Sequence, residues 1–166
     1  PNDVDVAFCS GYGKIITEAQ LSQFSCGAYN AHPSLLPKYR GRHAIQWAIA
    51  EGEIDLGVSI HIITKEIDAG DVIMAESMKF GLESDVLTIT EALAELAAKM
   101  IFKMANLLKS GNKPRIIGTS DPTATYWRKR KTSDCKIFWD KPGKDVLNLV
   151  RASSPTYPAF ATCADK

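Results

Sequence analysis

Val4-Asp5-Val6-Ala7-Phe8-Cys9-Ser10 (VDVAFCS) is followed by the turn Gly11-Tyr12-Gly13 and by Thr17-Glu18-Ala19-Gln20-Leu21. The first segment is short and apolar and reads as a buried strand, and the last reads as a short helix with Thr17 as its N-cap. A second strand is expected near Gly27 to Asn30, then a proline-containing loop from His32 to Gly41, then a helix over Ala44 to Ala50 (AIQWAIA) stopped by Gly52. Val58 to Thr64 (VSIHIIT) is β-branched and strand-like, Lys65 to Gly70 reads as a turn, and a strand runs from Val72 to about Phe80. From about Ser84 to Lys109, Leu93, Leu96, Ala97, Met100, Ile101, Met104, Leu107 and Leu108 recur at three- and four-residue steps, an amphipathic helix with its stop at Gly111 and its methionines as core filler. Strands and helices alternating in this way predict an α/β fold, with a parallel or mixed sheet covered by helices.

The pattern changes after Pro122. Thr123 to Arg130 (TATYWRKR) and Lys136 to Trp139 (KIFW) read as two strands joined by a polar turn, Lys144 to Ala152 (KDVLNLVRA) as a helix, and Ala159 to Cys163 as a strand. Two units are therefore expected, residues 1–122 and the start of a small β-rich domain over 123–166. The strand at Val4 to Ser10 already reads as buried, so the first unit is expected to begin inside its fold.

Composition narrows the function classes. The chain has 166 residues, 45% hydrophobic and 23% charged, which suits a globular domain rather than a disordered or fibrous one. Twenty Lys and Arg against 19 Asp and Glu leave a net charge of +1, so no global field draws it to nucleic acid or to an anionic membrane, and an RNA partner would need a local patch. No apolar run approaches a membrane span. Cys9, Cys26, Cys135 and Cys163 are widely spaced without a CxxC pair, which predicts buried thiols in a reducing, cytoplasmic setting. Cys9, Cys26, His32 and His61 lack the close pairs of a zinc site, and no metal is expected.

Asn30-Ala31-His32-Pro33-Ser34-Leu35-Leu36-Pro37-Lys38-Tyr39-Arg40-Gly41 carries the chemistry. Asn30 and His32 are two apart at a strand end, so an amide and an imidazole project to one face beside the crevice where such sheets bind ligands. Taken alone, a histidine there reads as structural. Asp68, in Asp68-Ala69-Gly70, reads on its own as a turn residue, with Asp71 the nearest rival carboxylate. His61, mid-strand in an apolar run, reads as packed, and His43 sits near a helix start with no obvious partner.

Asn30-x-His32 followed by Ser34-Leu35-Leu36-Pro37-x-x-Arg40-Gly41, with Asp68-Ala69-Gly70 thirty-six residues after the histidine, resembles the signature of the folate-dependent formyltransferases. That family includes methionyl-tRNA formyltransferase and the amino-sugar N-formyltransferases. Ala124-Thr125-Tyr126, Ile137-Phe138-Trp139 and Asn148-Leu149-Val150-Arg151-Ala152 extend the resemblance into the start of the family's second domain. The resemblance implies the C-terminal half of a Rossmann-like formyltransferase domain, with the first strands and a Gly-containing loop lying upstream, followed by an OB-like domain. It implies a formyl group moved from 10-formyltetrahydrofolate to a primary amine.

Formyl transfer passes through a tetrahedral intermediate with a negative oxygen, which needs hydrogen-bond donors and a base for the attacking amine. The implied roles are Asn30 as amide donor to that oxygen, His32 as second donor and proton carrier, and Asp68 as the group that orients His32. Lys14, Ile15 and Ile16 match one wall of the family's pterin slot, although Ile15 and Ile16 also read as plain core, and Thr64, Lys65, Glu66 and Ile67 match the loop on its other side. The acceptor is expected to be a nucleotide-linked amino sugar, because Lys38-Tyr39-Arg40-Gly41-Arg42 with Ile45-Gln46-Trp47 looks closer to those enzymes. Methionyl-tRNA is the alternative, for which Trp127-Arg128-Lys129-Arg130-Lys131 would supply a basic patch, and hydrolysis of 10-formyltetrahydrofolate is a further one.

Overall fold

A computed structural model describes residues 4–118 and 123–163. Strand β1 (Ala7–Ser10) is followed by the one-turn helix α1 (Glu18–Leu21), where the Thr17 hydroxyl accepts from the Gln20 N–H and the Gln20 side chain accepts from the Thr17 N–H. Strand β2 (Ala28–His32) runs parallel to β1. A two-residue strand β3 (Arg40–Gly41) and helix α2 (Ala44–Ala50) come next. Strands β4 (Asp55–Ile62) and β5 (Val72–Lys79) complete a sheet of order β1-β2-β4-β5, whose last two pairings are antiparallel. The sheet is thus mixed, one of the two arrangements expected.

Helix α3 (Val86–Lys109) begins two residues later than expected because Asp85 accepts the Thr88 N–H and caps it, and Gly111 follows its end at φ +75°. Its buried stripe is Val86, Ile89, Leu93, Ala97, Met100 and Met104, so the methionines are core as expected. Strand alternation decides what that stripe meets. Leu56, Val58 and Ile60 of β4 and Tyr29 and Ala31 of β2 join it in one core with Ile45 and Ile49 of α2.

The other face of the same two strands carries Asn30, His32, Ser59 and His61, with Asn30 opposite His61 and His32 opposite Ser59. The proline loop covers this face. Ser59 donates its hydroxyl to the Ser34 carbonyl at 2.8 Å and accepts the Leu36 N–H at 3.0 Å. Leu35 lies so close to Gly57 that any Cβ there would meet both it and the Glu76 carbonyl. The sequence-expected strand from Val58 to Thr64 therefore starts three residues earlier and ends two earlier.

The C-terminal expectations need correction. Tyr126–Trp127 forms a strand, β6, but it pairs in parallel with Arg40–Gly41 of β3 instead of with Lys136 to Trp139. Thr132–Cys135 is a turn of 3-10 helix, and Lys136 and Phe160 share an isolated bridge in place of the two expected strands. Strand propensity in these aromatic segments is met by other partners, since propensity follows context. Helix α4 (Gly143–Arg151) forms as expected and buries its polar Asn148 and Arg151, while Leu147 and Val150 stay exposed. Arg151 turns inward because it donates to the Ser84 carbonyl at 2.9 Å, the Gly81 carbonyl at 3.1 Å and the Asn148 amide oxygen at 3.0 Å. The expected boundary at 122 lies outside the described residues.

Candidate active site

Two pieces of chain bring Asn30, His32 and Asp68 together. β2 supplies the first two on one face, and the turn after β4 supplies Asp68 in a left-handed conformation, φ +49°, which Asp tolerates better than most residues. Gly70 makes that turn possible, because a Cβ there would run into the Ile62 carbonyl. The Gly41 N–H donates to Asp68 Oδ2 at 2.9 Å and ties the turn to the end of the proline loop. Asp68 lines the cavity beside His32 and Asn30, and Asp71 does not.

Backbone carbonyls fix the tautomers of two histidines. His32 Nε2 lies 2.8 Å from the Tyr39 carbonyl and must donate to it, which leaves Nδ1 facing Asp68 Oδ2 at 3.4 Å. His61 Nδ1 likewise donates to the Ile62 carbonyl at 2.9 Å, leaving Nε2 at 3.4 Å from Asp68 Oδ1 and 3.2 Å from Asn30 Nδ2. Asn30 Nδ2 also donates to Asp68 Oδ1 at 3.4 Å. One carboxylate is therefore bracketed by two imidazole nitrogens and an amide. His61 is buried, as the sequence suggested, but within this cluster and not merely in apolar packing. Its signal is the strand register: it is the cross-strand partner of Asn30, and that is visible only once β2 and β4 are paired.

Burial drives the His32 imidazole below its ordinary range, against the pull of Asp68 and the Tyr39 carbonyl, with His61 and Arg40 reinforcing the downward shift. Burial also opposes ionisation of Asp68, yet the hydrogen bond from a His61 ring carrying both protons, the charge of a protonated His32 and the Gly41 N–H together hold the carboxyl below the usual carboxylate range. Near neutrality the pair is thus a neutral imidazole beside an ionised carboxylate. The Nδ1 lone pair points at negative charge, so a proton arriving there is held by Asp68 at once.

The cluster lines a cavity of about 610 Å³. Lys14, Ile15, Ile16, Thr64, Lys65, Glu66 and Ile67 line the same cavity, so every residue singled out for the site in the sequence converges on it. Tyr12, Ile15 and Ile67 are exposed there, with Ile15 at 76%, so Ile15 is not simple core. Arg42, His43 and Gln46 form another part of the lining. His43 is the N-cap of α2 at φ +59°, packs edge-on against Tyr157 and leaves a buried Nδ1 without a hydrogen-bond partner among the described residues.

The two arginines of the basic run near the C-terminal end are committed elsewhere. Arg128 pairs with Asp134 at 2.7 Å, and Arg130 is buried, donating to the Ala152 and Asp134 carbonyls. Among the described residues no group of three or more His, Cys, Asp or Glu is placed to hold a metal, all four cysteines are unpaired, and no helix is long and apolar enough to cross a membrane.

A family model described as formyl transferase matches residues 1–105. The methionyl-tRNA formyltransferase of Staphylococcus aureus (strain Newman) is 33% identical over 164 residues, 98% of this chain and 52% of that protein, so the chain spans about half the length of the curated relatives it matches. The crystal structure of a 4-N formyltransferase from Francisella tularensis superposes with a TM-score of 0.81 at 20% identity, over 95% of this chain and 65% of that one, a likeness of fold. The formyltransferase PseJ from Anoxybacillus kamchatkensis, solved with UDP-4,6-dideoxy-4-formamido-L-AltNAc and tetrahydrofolate, is 28% identical with a TM-score of 0.68, over 76% of this chain and 66% of that one.

Proposed function

The chain belongs to the formyl transferase family, and from that premise we propose that it moves a formyl group from 10-formyltetrahydrofolate to a primary amine, with Asn30, His32 and Asp68 as the reacting groups. The observation that carries this reading is the committed geometry of His32. Its Nε2–H is spent on the Tyr39 carbonyl, and its Nδ1 is left as a proton acceptor 3.4 Å from an ionised Asp68.

The amine nitrogen attacks the formyl carbon and the carbonyl electron pair moves onto oxygen. Asn30 stabilises that oxygen with an amide N–H, which its long contacts of 3.2 and 3.4 Å leave open to competition. The amine proton passes to His32 Nδ1, where Asp68 stabilises the imidazolium. The same proton then goes to N10 of the folate as the carbon–N10 bond breaks, giving a formamide and tetrahydrofolate. Because Nε2–H is taken by Tyr39, a hydrogen bond from His32 to the oxygen can come only from Nδ1 once protonated. This refines the second-donor role expected from the sequence.

The cavity suits the folate. Exposed apolar Ile15 and Ile67 at its lining fit a flat heterocycle, and the backbone of Lys14 to Ile16 and Thr64 to Asp68 would supply its hydrogen bonds. Asp68 thus serves both the loop and the proton transfer.

The acceptor is a nucleotide-linked amino sugar in this reading. Of the basic run from Lys38 to Arg42, Lys38 pairs with Glu53 and Arg40 is buried against Tyr126, while Arg42 alone lines the cavity and has no ion-pair partner among the described residues. Arg42 is the guanidinium placed to meet a diphosphate there. The complex of PseJ with a UDP-linked formamido sugar supports the same class. Methionyl-tRNA is the second reading, favoured by the names of the 33%-identical relatives. Incubating the full-length protein and 10-formyltetrahydrofolate with a nucleoside-diphosphate amino deoxysugar and, separately, with Met-tRNA decides between them. A sugar product heavier by one CO is expected, and formylation of Met-tRNA alone would overturn the sugar assignment.

A further inference from the structure

We infer that Thr125 and Trp127, from the segment that follows the catalytic unit, are positioning residues that set the tautomer of His32 by holding Tyr39 in a left-handed backbone conformation. The inference rests on His32 as the proton carrier proposed above and adds the part of the chain that makes it one.

Tyr39 has φ +57°, a region that bulky residues adopt only when their surroundings hold them there. That conformation aims its carbonyl at His32 Nε2, 2.8 Å away. The holding contacts come from 86 residues along the chain. The Tyr39 N–H donates to the Thr125 hydroxyl at 2.9 Å, the Arg40 N–H donates to the Thr125 carbonyl at 2.8 Å, and the Thr125 N–H donates to the Pro37 carbonyl at 3.3 Å. One residue further on each strand, β3 pairs with β6, and the Arg42 N–H donates to the Trp127 carbonyl at 2.9 Å. The Tyr39 ring stacks on Trp127 with centroids 5.8 Å apart and planes at 22°, and its hydroxyl donates to Glu53 at 3.2 Å.

Releasing Tyr39 lets it relax to negative φ and turns its carbonyl away from His32. The imidazole is then free to carry its proton on Nδ1, where it donates to Asp68 instead of waiting to accept from the amine. Segment 125–127 therefore does more than lead away from the site, since it decides which nitrogen of His32 is the base.

The test follows the imidazole nitrogens of His32 by NMR in the full-length protein, together with steady-state kinetics, for the wild type, Thr125→Val and Thr125→Ser. In the wild type the neutral ring is expected as the Nε2–H tautomer. Thr125→Val is expected to mix the tautomers, lower kcat about tenfold with KM within about twofold, and move the acid limb of the pH profile to lower pH, because the Tyr39 carbonyl no longer favours the protonated ring. Thr125→Ser keeps the hydroxyl and is expected to restore tautomer and limb together. Should Thr125→Val not fold, Trp127→Leu, which leaves the backbone pairing intact, is expected to show a smaller change of the same sign. An unaltered His32 tautomer in folded Thr125→Val or Trp127→Leu would overturn the inference. A wild type that shows the Nε2–H tautomer but no formyl transfer would sink the proposed function and leave the tautomer lock standing.

Discussion

His61 Nε2 lies 3.4 Å from Asp68 Oδ1, the same separation at which His32 Nδ1 meets the other oxygen of that carboxylate. The hydrogen bond that His61 Nε2 gives Asp68 when the ring carries both protons is the foremost contribution holding the carboxyl down against burial. His61→Phe is therefore expected to raise the pH at which the Asp68 carboxyl titrates, read by carbon NMR, and to slow turnover about tenfold with folate binding little changed. A carboxyl that titrates where it did before would remove His61 from the site.

Asn30 offers a test by sign. Its amide faces Asp68 Oδ1 at 3.4 Å and is assigned to the developing oxyanion. Asn30→Asp sets a negative charge against both, so it is expected to be slower than Asn30→Ala in steady-state turnover. An Asp variant as active as the Ala variant would make Asn30 a structural residue.

Acid should weaken the fold through the site itself. His32 and His43 are both held below the ordinary 6.5 of an imidazole, so the unfolded chain binds more protons than the folded one. Their contribution is complete above about 6.5 and is lost as pH falls toward the folded values, and Asp68, depressed below 3.8, adds its own loss only at lower pH. Urea unfolding between about pH 7 and about pH 5 is expected to show falling stability, with a smaller fall in His32→Gln. Equal slopes in the two proteins would mean that His32 is not depressed.

Arg151 anchors α4 to the chain ahead of α3 through the Gly81 and Ser84 carbonyls. Arg151→Ala leaves those carbonyls and Asn148 without their donor and is expected to cost about 2–3 kcal/mol in chemical unfolding. A loss under about 0.5 kcal/mol, the scale of an ordinary surface change, would show that α4 is not fastened there.

Much of this was legible from residue order, for reasons of range. Thr17 as a cap, Ala44–Ala50 as a helix and the stripe of α3 are set by neighbours a few residues away, and the structure matches them. The convergence of Asn30, His32 and Asp68 was readable only through the resemblance to the formyltransferase signature, since taken singly His32 reads as structural and Asp68 as a turn residue. His61 was not, since its partner Asn30 is 31 residues away and only strand register pairs them. The left-handed Tyr39 carries no mark in its own sequence, because the contacts that hold it come from Thr125 and Trp127. The same long reach undid the expected C-terminal hairpin, whose first strand found β3 instead.

The most direct measurement is single-turnover formyl transfer from 10-formyltetrahydrofolate by the full-length protein carrying His32→Ala, Asp68→Ala or both, with folate affinity measured on the same preparations. Each single variant is expected to be slower by ~10²-fold or more with affinity kept within about tenfold, and the double variant to be slower by less than the product of the two, because the residues move one proton together. A folded His32→Ala or Asp68→Ala protein that transfers formyl near the wild-type rate would contradict the account.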